Sequence, residues 1–178
     1  MIISSKGKDT GTTPGGEIMS KKQKSWQEKL ADSKGLPKVV EINDKMSKRW
    51  GTGTVVIPAP IEVDEIMKLV PRGRVITVGE IRALLARKHS ASIGCPLTTG
   101  IFAWVAAHAA EEAAAEGKKD ITPYWRTLKS GGELNGKYPG GTEAQAAHLR
   151  EEGHTIEPGK GKKPPKVKDF EKALYIEA

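Results

Sequence analysis

The chain has 178 residues, with 29 Lys and Arg against 22 Asp and Glu for a net charge of +7. That length suits one ordinary domain with room for tails, and the charge favours an anionic partner such as nucleic acid. A single Cys excludes an internal disulfide framework and a multi-Cys zinc site and fits a reducing compartment. No apolar run approaches the roughly 18 residues of a membrane span, and the start lacks the apolar centre of a signal peptide. The expectation is a soluble cytoplasmic protein with no membrane partner.

Residues 1–24 are rich in Lys, Ser, Thr and Gly without apolar periodicity, which predicts a disordered basic tail. Met19 heads a shorter reading frame, MSKKQKSWQ, so the first 18 residues read as an upstream extension. A short helix fits residues 25–33 around Trp26 and Leu30. The rest of 25–60 reads as an irregular extension with brief extended runs at Val39 to Ile42 and Thr54 to Ile57. The first 60 residues hold 11 Lys and Arg against 6 Asp and Glu, a surplus that most often makes a solvated surface and can also attract phosphates.

A domain is expected over 61–156. Val63, Ile66, Met67 and Val70 recur at helical spacing, with Glu62, Asp64 and Glu65 in the first turn where the helix dipole favours acids. Thr77 and Glu80 have capping-box spacing and open a helix with Ile81, Leu84 and Leu85 inward. From Cys95-Pro96 an Ala-rich helix runs to about Glu116, with Gly117 as its cap. Two capped helices joined by a loop match a helix-turn-helix as well as a plain helical hairpin. Thr142 and Gln145 offer a third capping box and a third helix. Residues 157–178 read as a basic linker, with five Lys and one Glu between Glu157 and Lys168, followed by Val167 to Ile176, which fits a final strand or short helix.

The stretch Ile121 to Gly153, ITPYWRTLKSGGELNGKYPGGTEAQAAHLREEG, resembles the active-site segment of the alkylguanine-DNA alkyltransferases. Pro123, Arg126, Gly132, Tyr138, Gly140, Gly141, Glu152, Gly153 and His154 fall on that family's pattern. The run VPRGRVITVGEIRALL and Gly100-Ile-Phe-Ala-Trp extend the resemblance from Glu62 to about His154. The resemblance implies a mainly α fold with a small β wing, a winged helix-turn-helix with flexible basic termini, whose second helix enters the minor groove of double-stranded DNA. That groove is only about 6 Å wide, so the small Ala103, Ala106, Ala107 and Ala110 are expected to face it. Thr98, Thr99 and Phe102 are expected to contact DNA with them.

Where the family has its nucleophilic Cys this chain has Tyr124, and Trp125 stands for the family's general-base His. An unperturbed phenol has a pKa of about 10 and stays protonated at neutral pH, so no alkyl transfer and no catalytic residue are expected. Phe102 replaces the Arg that family members intercalate, and Val78 the Tyr that helps rotate the flipped nucleotide. The alkyltransferase-like proteins, which lack the Cys, are the nearest likeness. They imply a base pocket of Tyr124, Arg126, Tyr138, Gly140 and Gly141, recognition of alkylated guanine or distorted DNA, and hand-over to excision-repair proteins. A cytoplasmic, nucleoid-associated monomer without cofactor or metal is expected. The four His residues, 89, 108, 148 and 154, show no ligand spacing with one another or with Cys95. Three other readings stand beside this one: a sequence-tolerant DNA-binding protein that no longer flips bases, an enzyme acting through Cys95 or Tyr124, and an interaction module whose Ala face packs on another helix.

Overall fold

The computed structural model describes residues 22–177. The tail expected over 1–24 therefore lies almost wholly outside the described residues. Those described form a mixed, mainly helical fold with six α-helices and small sheets.

The stretch 25–60, expected as an irregular extension with a short helix at 25–33 and extended runs at Val39 to Ile42 and Thr54 to Ile57, carries four elements, of which α2 alone is unexpected. Helix α1 (Trp26–Ala31) is closed by a capping box between Ser25 and Glu28. Strand β1 (Lys38–Glu41) follows, then α2 (Asp44–Trp50), whose N-cap Asn43 accepts a bond from the Met46 amide, and β2 (Thr54–Ile57). β1 and β2 pair antiparallel from Lys38 opposite Ile57 to Glu41 opposite Thr54. α1, β1 and α2 bury no residue fully, whereas β2 buries Val55 and Val56, and the two strands are selected by their pairing.

Helix α3 (Pro60–Leu69) buries Val63 and Met67, with Val70 buried at its end. Two of its first-turn acids serve the interior instead of the dipole. Glu62 accepts from the Ala59 amide at 3.0 Å and pairs with Lys88 and His89, and buried Asp64 accepts from the Thr122 hydroxyl at 2.6 Å. Strand β3 (Ile76–Thr77) leads into α4 (Val78–Lys88), where Thr77 caps the Glu80 amide and Ile81 and Leu85 are fully buried. β4 (Ile93–Gly94) adds a parallel strand beside β2.

Helix α5 (Pro96–Ala115) is the centre of the molecule, packing against α1, α3 and α4. Its small face does not meet solvent. Ala103, Ala106, Ala107 and Ala110 are at most 4% exposed, and Thr99 and Phe102 are buried with them. The expectation that these alanines face a groove is corrected: they let neighbouring helices approach closely, since interaxial distance is set by the side chains at the contact.

Beyond α5, a 3-10 turn, Tyr124–Arg126, runs into β5 (Thr127–Leu128), which pairs parallel with β3. Helix α6 (Gly141–Glu151) starts one residue before Thr142, so the expected capping box is absent and left-handed Gly140 is the N-cap. The basic segment is also ordered: β6 (Ile156–Glu157) and β7 (Lys166–Val167) form an antiparallel hairpin. A second 3-10 turn, Phe170–Ala173, then docks the C-terminus, and the Tyr175 amide donates to Val75 O at 2.7 Å. Val167 and Phe170 join Val75, Leu128, Leu134, Ala146 and Leu149 in a second core cluster beside the α3–α4–α5 core.

An Ala106→Leu variant tests the inward direction of the α5 face. Forcing three more carbons into a fully buried site is expected to cost about 1–3 kcal/mol in chemical denaturation of the DNA-free protein; unchanged stability would return this face to solvent.

Candidate nucleic-acid interface

Pro123 cannot donate a backbone bond and has fixed φ, which starts the tight turn carrying Tyr124, Trp125 and Arg126. The three side chains leave that turn in different directions. Tyr124 is only 1% exposed and its hydroxyl donates to Glu111 Oε1 at 2.8 Å. Burial first, and then the bond to the Glu111 carboxylate, push this phenol above its ordinary pKa, so the proton is held firmly.

Trp125 stacks on His148, with ring centroids 4.1 Å apart and planes 13° off parallel, while its Nε1 donates to Glu152 Oε1 at 2.9 Å. Arg126 reaches the same carboxylate in a bidentate grip, Nε to Oε2 at 2.9 Å and the Arg126 η2 nitrogen to Oε1 at 2.7 Å, and its other terminal nitrogen donates to Val70 O at 2.7 Å. The pair is buried, 13% and 3% exposed at its side chains. Burial pushes the Glu152 carboxyl up, but Arg126 and Trp125 more than offset it and hold it below the usual carboxylate range. Arg126 thus braces the turn from beneath and takes no place on an open surface.

Tyr138 is 3% exposed and meets Tyr124 edge-on, centroids 5.8 Å apart. Gly140, at φ 75°, leaves room for α6 to begin: a Cβ there would sit 2.5 Å from the Ala144 Cβ. Gly141 continues in the left-handed region at φ 69°. The loop before it is pinned from two sides. Fully buried Gln145 accepts from the Asn135 amide at 2.8 Å and donates to the Trp125 and Thr127 carbonyls. On the far side the Trp104 indole donates to Lys137 O at 3.0 Å, and His108 Nε2 lies 3.2 Å from the same oxygen. Trp26 of α1 stacks on His108 and meets Trp104 edge-on. The structure therefore brings Tyr124 and Tyr138 together, but as packed core side chains.

Of the residues expected to contact DNA, Thr99, Phe102, Ala103, Ala106 and Ala107 are buried and Thr98 is half-buried. The exposed stripe of α5 is one step round the helix, at Leu97 (69% exposed) and Ile101 (43%), with Gly100 between them and open space above it. This stripe, with Trp104, forms one wall of a groove of about 480 Å³ whose other wall carries Lys129, Asn135 and Lys137. Leu97 and Ile101 had a signal in the sequence: they stand four apart on a helix whose alanines share the opposite face. Cys95 is 6% exposed and caps α5 through its backbone alone, its carbonyl accepting from the Thr99 hydroxyl at 2.6 Å.

Two solved structures resemble this fold. One is S. pombe Atl1 in complex with damaged DNA containing O6-carboxymethylguanine, 20% identical, with a TM-score of 0.47, covering 66% of this chain and 94% of that one. The other is S. pombe ATL in complex with DNA, 21% identical, with a TM-score of 0.48 and the same coverage. No family model matches the chain, and no curated protein matches it.

Removing Arg126 leaves Glu152 buried without its cation, so Arg126→Ala is expected to destabilise the fold by about 3–5 kcal/mol. The pH dependence has a defined sign. Because the folded Glu152 pKa is depressed, its contribution is complete above the ordinary 4.5 and is lost as pH falls through the lower folded value. His154, held below 6.5 by burial, adds a loss of the same sign that begins near that pH. In Arg126→Ala the Glu152 part should reverse, since burial without the cation raises that pKa. Melting temperatures of both proteins across the acid range check this.

Proposed function

We propose that this chain is a DNA-binding protein of the alkyltransferase-like type, which recognises alkylated or distorted duplex in repair and transfers no alkyl group. The observation that carries it is the exposed Leu97–Gly100–Ile101 stripe at the start of α5, facing a groove flanked by Lys129 and Lys137 in a chain of net charge +7. On this reading α4 and α5 are the helix-turn-helix, and β6–β7 is the small wing beside it. Apolar side chains at such a tip can wedge between base steps from the minor groove, and lysines beside them meet phosphates. The role of the family's intercalating Arg, whose position Phe102 holds, passes to Leu97 and Ile101, because Phe102 is buried.

The absence of transfer is supported by the held proton on Tyr124: an alkyl acceptor must first be a nucleophile, and the neighbour of this hydroxyl is a carboxylate that favours the neutral phenol. The protein would act as a monomer on the nucleoid, in the cytoplasm, and pass sites to excision-repair proteins. A second reading, a sequence-tolerant binder without base flipping, is favoured by one observation. Tyr124 and Tyr138, at 1% and 3% exposure, already fill the position where a flipped base would sit. Extruding a base costs a few kcal/mol, which pocket contacts must offset.

Fluorescence anisotropy against short duplexes with and without one methylated guanine separates the two readings. Tighter binding to the modified duplex, weakened by Tyr138→Ala, marks a pocket that opens; equal affinity marks the second reading. In either case Ile101→Glu, which sets a carboxylate against phosphates, is expected to weaken binding about tenfold or more, a loss of at least about 1.4 kcal/mol, with an unchanged melting temperature. No binding by the unaltered protein would overturn both. Peptide mass spectrometry after incubation with methylated DNA should find Tyr124 unmodified.

A further inference from the structure

Helix α1 lies outside the stretch from Glu62 to His154 that resembles the alkyltransferases, and its six residues are too few to hold a helix in water on their own. Docking on α5 is therefore what makes it a helix. None of its residues is fully buried, and its seat is built from polar bonds and rings. The Trp26 and Gln27 amides donate to the two oxygens of Glu112 at 3.0 and 3.2 Å, and the Gln27 side-chain amide donates to the same carboxylate at 3.1 Å. The Lys118 ammonium donates to Gln27 Oε1 at 3.0 Å.

Trp26 also reaches further into the molecule than its own seat. Its indole stacks on the His108 ring, centroids 4.4 Å apart and planes 22° off parallel, and meets Trp104 edge-on at 4.7 Å, while Trp104 and His108 meet each other edge-on at 5.3 Å. Three rings close on one another, so each restricts the rotamers open to the other two. Two of them reach the same backbone oxygen: Trp104 Nε1 donates to Lys137 O at 3.0 Å, and His108 Nε2 lies 3.2 Å from it. Trp104 and Lys137 both line the groove that Leu97 and Ile101 face. An unbroken series of contacts thus runs from α1 to the groove wall. Trp26 belongs to neither hydrophobic core, so this series can change without opening either.

We propose that Trp26 is a positioning residue for DNA binding: by holding Trp104 and His108 it sets the Lys137 wall of the groove, so that α1 docking and DNA binding favour each other. The proposal rests on the DNA-binding reading above. A wall held in place beforehand loses less freedom when DNA enters, which strengthens binding without any contact between α1 and DNA. The coupling is reciprocal: the factor by which docked α1 raises affinity for duplex is the factor by which bound duplex stabilises docked α1. Such factors are typically about fivefold or more. A helix that only supports the fold would not respond to DNA.

The test has two readouts on the full chain. In anisotropy on unmodified duplex, Trp26→Ala is expected to weaken binding about fivefold or more, and Trp26→Phe, which keeps a ring on His108, to restore most of the loss. In hydrogen exchange of the unaltered protein, the Trp26 and Gln27 amides, which are bonded to Glu112, are expected to exchange more slowly by about the same factor under saturating duplex. Unchanged affinity in Trp26→Ala overturns the proposal. Weakened binding with unchanged exchange at these amides overturns it too, because α1 then supports the fold alone. Should Trp26→Ala fail to fold, the exchange measurement decides by itself. Either failure leaves the α5 reading standing, provided Ile101→Glu still weakens binding. Absence of DNA binding by the unaltered protein overturns both together.

Discussion

One carboxylate ties the second half of this molecule together. Glu152, at the end of α6, takes two bonds from Arg126 and one from the Trp125 indole, and Arg126 goes on to the Val70 carbonyl at the end of α3. Three segments distant in sequence are thereby fixed at one buried point: the α3 terminus, the 3-10 turn that leads into β5, and the α6 terminus. A bidentate Arg–carboxylate pair has the planarity for this, which a Lys would lack. Desolvating two charges is unfavourable by itself, so the arrangement depends on every lone pair and proton having a partner. The further bonds from Trp125 and to Val70 meet that condition, and they also set the direction in which Tyr124 leaves the turn.

That direction makes α5 what it is. Tyr124 and Tyr138 share one core cluster with Phe102 and the alanines of α5, and α1, α3 and α4 all pack on that helix, so small side chains along it leave the room they need. The same residue type has two opposite physical uses: a thin helix fits a narrow groove, and a thin helix also lets other helices crowd it. Burial decides between them here. The large apolar side chains that α5 exposes, Leu97 and Ile101, lie in its first turns, and the Trp104–Lys137 bond fixes the loop that forms the opposite wall.

Much of the fold was legible in the sequence where one local signal acted alone. The Thr77 cap, the Val63–Met67–Val70 face and the stop at Gly117 are set by backbone bonding and periodicity, and they stand as read. Signals with two possible physical causes were not legible. Glu62 and Asp64 match a dipole-favoured first turn, yet their partners, His89, Lys88 and Thr122, are distant in sequence. Thr142 and Gln145 have capping-box spacing, but Gln145 is taken by Asn135, Trp125 and Thr127, and Gly140 caps the helix instead. The basic stretch after Glu157 has a composition suited to disorder. Order there comes from a buried Val167 and backbone bonds to Gly132 and Leu134 that composition does not encode.

The candidate site divides along the same line. Its resemblance to an alkyl-accepting site lies in backbone requirements, Pro123 before the turn and Gly140 and Gly141 at the α6 start, and these are met. At the two positions where the resembled family carries its reactive side chains, this chain has a phenol bonded to Glu111 and an indole stacked on His148. This aromatic pair makes the turn rigid, because the buried hydroxyl and the indole N–H each hold a fixed carboxylate acceptor. What such a scaffold still offers a partner is shape and charge at its rim. On the proposed DNA-binding reading the contact therefore falls to Leu97 and Ile101 and the lysines across the groove from them.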